Sequence, residues 1–150
     1  MNLVGSSCNT LDTKRRVAIP KKFRDQIEAA GSASAGQFVL CRQLGGDRCL
    51  ALYLPGRFEA ALAKLEELRS HSVGVGNKTV RGYLRRLRMS AAYIKPDRQS
   101  RVTLTEEQCR LAGITKEITF VGYGDHMELW APEELQDDTN FRDLATDIFG

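Results

Sequence analysis

The hydrophobic positions of this chain change period several times, and each change predicts an element. Val17 and Ile19, like Val102 and Leu104, alternate as the buried face of a short strand would. A helix is expected directly after each strand. In the first case Pro20 suits the opening helical position, Phe23 and Ile27 lie one turn apart, and Gly31 can end the run. In the second, Thr105, Glu106, Glu107 and Gln108 have the form of a capping box, and Gly113 supplies the stop. FVLC with CLALYL, and ITFV with HMELWA, then read as strands joined through the turn-rich QLGGD and GYGD. Between the two halves, Phe58, Ala61, Leu62, Leu65 and Leu68 define an amphipathic helix. HSVGVGN reads as a loose loop, and Val80, Leu84, Leu87 and Ala91 give a second apolar stripe. Arg81, Arg85 and Arg88 lie on another face of that second helix, a row open to nucleic acid, to solvent, or to acids of a neighbouring subunit.

These elements occur twice in the same order. LDTKRRVAIP, from Leu11 to Pro20, and PDRQSRVTLT, from Pro96 to Thr105, share the pattern D-x-x-x-R-V-x-[IL] at a constant offset of 85 residues. Downstream, Leu52-Tyr53-x-Pro55 matches Leu129-Trp130-x-Pro132 at an offset of 77. The first copy is therefore about eight residues longer, an excess assigned to the Ala/Gly/Ser-rich AAGSASAGQ. A strand this short buries too little surface to stand alone, so the two copies must pack on each other. With pseudo-twofold symmetry their D-x-x-x-R loops would come to one face, where Lys14, Arg15, Arg16, Arg98 and Arg101 would form a basic ridge. Arginine suits such a ridge because its planar fork takes a phosphate bidentately or reads the O6 and N7 edge of guanine. Asp12 and Asp97 are poor phosphate ligands and are read as intramolecular partners that orient an arginine or hold the loop amides. The competing reading is that Arg16 and Arg101 serve only as ion-pair partners of those aspartates.

Charge sharpens this picture. The net +3 hides segregation: residues 12–25 carry a local +4, residues 77–101 a local +7, and residues 133–147 a local −5. Clustered bases point to a polyanionic partner, against the simpler reading of solvated faces. With 42% hydrophobic and 27% charged residues, the chain suits one ordinary domain or two very small ones. No window approaches the roughly 18 apolar residues of a membrane span, and MNLVGSSCNT lacks the features of a signal peptide, so a cytosolic protein is expected. Cys8, Cys41, Cys49 and Cys109 form no CxxC pair and His71 and His126 are isolated, so no metal site is expected and the thiols are read as reduced and structural. No phosphate-cradling glycine loop or nucleophile motif is present, which argues against an enzyme, a cofactor or a small-molecule substrate.

LDTKRRVAIPKKFR resembles the LDxKGRxxxP signature that opens proteins of the MraZ family. Gly5, the LYLP segment, the helical middle, the second D-x-x-x-R loop and VGYGDHMELW follow in the same order, so the resemblance spans nearly the whole chain to Pro132. It implies an α+β fold, mainly β with short helices, in which two SpoVT/AbrB-type repeats build a swapped-hairpin barrel. The expected organisation is a first repeat over 5–57, a helical connector over 58–93, a second repeat over 94–134 and an acidic tail over 135–150. The resemblance also implies a ring-like homo-oligomer in the cytoplasm, associated with the nucleoid. Such an oligomer would read guanine-rich direct repeats in double-stranded DNA upstream of its own cell-division and cell-wall operon. By motif match the DNA-contacting positions are Lys14, Arg15 and Arg16, with Arg98, Gln99 and Arg101 in the second copy, and Asp12 and Asp97 orienting the loops.

The sequence departs from the signature where its glycine becomes Arg15 in the first copy and Ser100 in the second. If that glycine serves a positive φ, a side chain there costs on the order of 1 kcal/mol; alternatively Arg15 adds a phosphate contact. Thr105 in place of the signature proline is accounted for by the capping box. A reading from another class is an AbrB-like antitoxin or assembly module that grips a protein through its tail, where Phe141, Leu144, Ile148 and Phe149 give an apolar stripe among acids.

Overall fold

In the computed structural model, which describes residues 1–31, 36–43, 47–135 and 146–149, the two halves of the chain are interleaved. The first contributes β1 (Ser6–Thr10), β2 (Arg16–Ala18), α1 (Lys21–Ala29), β3 (Phe38–Arg42) and β4 (Leu50–Tyr53). The second contributes β5 (Ala92–Ile94), β6 (Arg101–Thr103), α4 (Glu106–Ala112), β7 (Glu117–Gly122) and β8 (His126–Trp130). Two helices, α2 (Pro55–Ser70) and α3 (Val75–Ser90), connect them, and a 3₁₀ turn, Pro132–Glu134, follows β8.

All pairings are antiparallel, and the main sheet runs β1-β7-β8-β4-β3-β5. Exchanging the halves reverses this order onto itself. The opening strand of each half thus pairs with the other half: Asn9 faces Ile118, and its repeat mate Ile94 faces Phe38. This is the swapped-hairpin arrangement within an α+β fold. These pairings leave β1 and β5 as sheet edges and join no closed barrel among the described strands. A separate ribbon pairs β2 with β6, and the pseudo-twofold axis passes between Val17 and its repeat mate Val102, which lie opposite each other.

The two halves start their helices differently, as the patterns predict. Thr105 accepts from Gln108 N at 3.1 Å while Gln108 Oε1 accepts from Thr105 N at 2.8 Å, so the capping box is complete. Pro20 sits one position earlier than expected, at the N-cap, where no side chain caps α1. Its fixed φ, here −57°, sets the chain direction instead.

Three details differ from the sequence reading. α3 begins at Val75, inside the stretch read as loop, because Asn77 Nδ2 donates to the carbonyls of Arg69 and Ser72 and closes the α2–α3 turn. Within the second apolar stripe, Leu84 and Leu87 are buried, whereas Leu68 of the first is exposed. The eight extra residues of the first copy are divided: matching Val39 with Thr119 puts five of them between β2 and β3 and three in the β3–β4 hairpin.

The strand period of two separates two apolar layers. Leu40, Leu50, Leu52, Ile118, Phe120 and Leu129 pack with Val17, Ile19, Val102 and Leu104 of the ribbon and with Phe23 and Cys109 of α1 and α4. On the other side of the sheet, Val39, Cys41 and Ala51 pack against Phe58 of α2 and Leu87 of α3. The ribbon and the α2–α3 hairpin therefore occupy opposite faces. Gly122 is required by close approach: a Cβ there would sit 2.7 Å from the backbone of Leu3 and Val4.

Candidate nucleic-acid interface

The ribbon buries Val17 and Val102 and turns its other face outward, so Arg16, Ala18, Arg101 and Thr103 share one side. Because the strands are antiparallel, the loop before Arg16 lies at one end of the ribbon and the loop before Arg101 at the other. Arg16 is opposite Thr103 and Arg101 is opposite Ala18, which makes the two arginines diagonal neighbours between the loops. The Thr103 position was legible in the alternation of β6 but carries no charge to draw notice.

Each loop is wired by its aspartate. Asp12 Oδ1 accepts from the backbone N–H of Lys14 at 2.9 Å and of Arg16 at 2.8 Å, and Oδ2 accepts from Arg16 Nε at 2.7 Å. Asp97 repeats the circuit: Oδ1 accepts from Gln99 N at 2.9 Å and Arg101 N at 3.0 Å, and Oδ2 from Arg101 Nε at 2.8 Å. The backbone closes in parallel, with Arg15 N donating to Asp12 O and Ser100 N to Asp97 O. These bonds, led by the one from the N–H of the partner arginine, hold the Asp12 and Asp97 carboxyls below the usual carboxylate range. Both are therefore ionised at neutral pH. A further contact crosses between copies, from Arg101 Nη1 to Asp12 Oδ2 at 3.8 Å.

The glycine question has a direct answer. Arg15 has φ 59° and Ser100 has φ 58°, the only non-glycine residues with positive φ among those described. A signature glycine would take this conformation without cost, and here two side chains are forced into it. Arg15 also donates from Nε to Leu104 O at 3.2 Å, so part of its guanidinium braces the end of the opposite strand, at its own end of the ribbon.

The named residues thus divide by task. Arg16 and Arg101 are half-buried and form ion pairs with Asp12 and Asp97 of their own loops. Lys14, Arg98 and Gln99 are exposed and their side chains carry no hydrogen bond or ion pair among the described residues. Arg15 is exposed but tethered. Sequence reasoning missed Arg24, whose Nε donates to Ile19 O at 3.1 Å and braces the other end of the ribbon. Its place one turn beyond Pro20 was visible, but the carbonyl it meets was not.

The histidines and thiols sit apart from this surface. His126 stacks on Tyr53 with ring centroids 4.5 Å apart, and its Nδ1 lies 2.7 Å from Asp125 Oδ1. Cys41, Cys49 and Cys109 are buried and free, burial pushes the Cys41 thiol up to about 12, and Cys8 is exposed. Among the described residues no group of three or more metal-binding side chains converges, and no helix is long and apolar enough to cross a membrane. Of the tail stripe, Phe141 and Leu144 lie outside the described residues, while Ile148 and Phe149 are exposed.

Sequence comparison finds relatives over most of the chain. A protein of Mycolicibacterium vanbaalenii, Transcriptional regulator MraZ, is 34% identical over 133 residues, covering 89% of this chain and 83% of its own length. Its namesake in Thermomicrobium roseum is 32% identical over 130 residues, covering 87% and 82%. A third, in Cutibacterium acnes, is 32% identical and covers 97% of this chain and 96% of its own. A scan against family models gives no match.

Proposed function

The chain belongs to the MraZ family of transcriptional regulators, and on that premise we propose that it binds double-stranded DNA through the two turns that flank the β2–β6 ribbon. The observation that carries this reading is the ribbon register, which presents two identically wired turns on one surface. Lys14 and Arg98 contact phosphates, Gln99 and the free edge of Arg15 lie beside them, and Arg16 and Arg101 present their remaining guanidinium donors between the turns. Guanidinium forks suit guanine edges, and the family signature in these turns makes guanine-rich direct repeats upstream of the protein's own operon of cell-division and cell-wall genes the expected target. A chain with two or three phosphate contacts binds weakly by itself. A homo-oligomer that presents many such turns to successive repeats supplies the affinity, because linkage raises the effective concentration of each further turn.

The test is binding of the full-length protein to a labelled fragment of its own promoter across a salt series, beside the Lys14→Ala, Arg98→Ala double variant. Neither substitution touches the aspartate circuit, so the variant folds. Tight binding that weakens with salt, and a shallower salt slope in the variant, support the reading. A folded wild type that ignores the fragment at low salt, or a variant that binds as well as wild type, overturns it.

A further inference from the structure

A cluster of cations lies at α3, on the other side of the sheet from the turns. Between α3 and the β3–β4 hairpin is a cavity of about 760 Å³ whose wall carries Arg42, Lys78, Arg85 and Arg86 and, among the described residues, one acid, Asp47. None of these four cationic side chains has a hydrogen-bond or ion-pair partner among the described residues. Neighbouring arginines behave differently. Arg48, in the same wall, is spent on Glu134 at 2.9 Å and on the carbonyls of Leu111 and Arg110. Arg88 of α3 reaches Glu66 at 3.1 Å. Among the described residues, the arginines that brace the fold are paired and the cavity cations are not. Four like charges lining one cavity wall repel one another. An anion bound among them relieves that repulsion.

The same wall contributes Tyr83, 37% exposed, and Met89, 78% exposed. A flat ring beside guanidinium forks joins two complementary functions: arginine takes phosphate oxygens bidentately, and the ring face takes an aromatic base. The volume falls in the range of roughly 300–1,000 Å³ that small-molecule sites occupy. DNA held by the turns lies on the opposite face of the sheet.

We propose that this cavity binds a nucleoside di- or triphosphate, with Arg42, Arg85 and Arg86 on the phosphates and Tyr83 against the base. The protein then has a ligand input on one face of its sheet and its turns on the other.

The experiment is isothermal titration calorimetry of the full-length protein at low salt with ATP and GTP, with adenosine as the uncharged probe. Wild type binds at least one nucleotide saturably at about one site per chain and does not bind adenosine. The Arg85→Ala, Arg86→Ala double variant, folded by circular dichroism, loses about tenfold or more in nucleotide affinity, and Tyr83→Ala loses less. Promoter binding by the double variant is measured alongside and stays close to wild type. No saturable nucleotide binding by folded wild type, or equal binding by the double variant, overturns the inference. So does promoter binding that falls in the double variant without any nucleotide binding, which assigns the cluster to DNA.

Discussion

The two turns share one backbone and differ in almost every side chain that does not hold it. Position for position, Thr13-Lys14-Arg15 stands where Arg98-Gln99-Ser100 stands in the second copy, between the same aspartate and the same arginine. The aspartate circuit tolerates all of these changes because it uses backbone N–H groups, which any residue supplies. The ends of the ribbon teach the same lesson. The carbonyl of Leu104 is met by Arg15 from the turn, and the equivalent carbonyl of Ile19 by Arg24 from α1. Ser100 is too short to reach Ile19, and position 109, the repeat mate of Arg24, is a cysteine buried in the core. One structural need is met twice by unrelated residues, so the symmetry is enforced in the backbone and relaxed in the side chains.

This comparison can be broken at several points, the largest in the helices. Phe23 is fully buried, and its repeat mate Gln108 belongs to the capping box. Urea denaturation of Phe23→Ala is expected to show a loss of about 3–5 kcal/mol, and of Gln108→Ala about 1 kcal/mol. Equal losses would mean that α1 and α4 are held alike. Next comes promoter affinity. Lys14→Ala and Arg98→Ala are each expected to lower the salt slope by about 1 per engaged subunit, and a slope that responds to only one of them would show that a single turn touches DNA. Arg101→Ala should weaken promoter binding more than Arg16→Ala, because Arg101 also reaches Asp12 across the axis and its loss loosens both turns.

Smaller effects follow from backbone strain and from pH. Ser100→Gly relieves a positive φ at the loss of no bracing bond and is expected to raise stability by about 0.5–1 kcal/mol, after allowance for the freer unfolded chain. Arg15→Gly gains the same relief but gives up the bond to Leu104 O, so its unfolding midpoint should stay near wild type. The Asp12 and Asp97 carboxyls titrate below their unfolded value of about 3.9. A depressed folded pKa stabilises above the unfolded pKa, and that contribution disappears as pH falls through the folded one. Urea midpoints of wild type and of the Asp12→Asn, Asp97→Asn double variant should therefore run parallel from pH 7 to about 5. Below about pH 4 wild type should fall faster, and parallel curves throughout would show that the carboxylates do not stabilise the turns.

Much of the arrangement was legible because it repeats. Alternation gave β2 and β6, the Thr105 capping box gave the start of α4, and the matched D-x-x-x-R segments gave the two turns and their aspartates. What escaped the sequence depends on contacts between distant segments. The bracing roles of Arg15 and Arg24 require knowing which carbonyl ends the opposite strand, and the cavity at Arg42 and Arg85 forms only when the β3–β4 hairpin meets α3. The insertion was assigned to one loop because strand register, not composition, shows how it divides.

The interleaving also bears on synthesis. β1 leaves the ribosome first, but its partner begins at Glu117, more than 100 residues later. β2 likewise waits for β6. At roughly 5–20 residues per second the opening segment spends several seconds or longer as an unmatched sheet edge, a state open to nonproductive pairing. A nascent fragment that stops before β6 cannot build the ribbon, so truncated products lack the surface proposed to read DNA. Completion of the chain is thereby a checkpoint on activity, written into strand order alone.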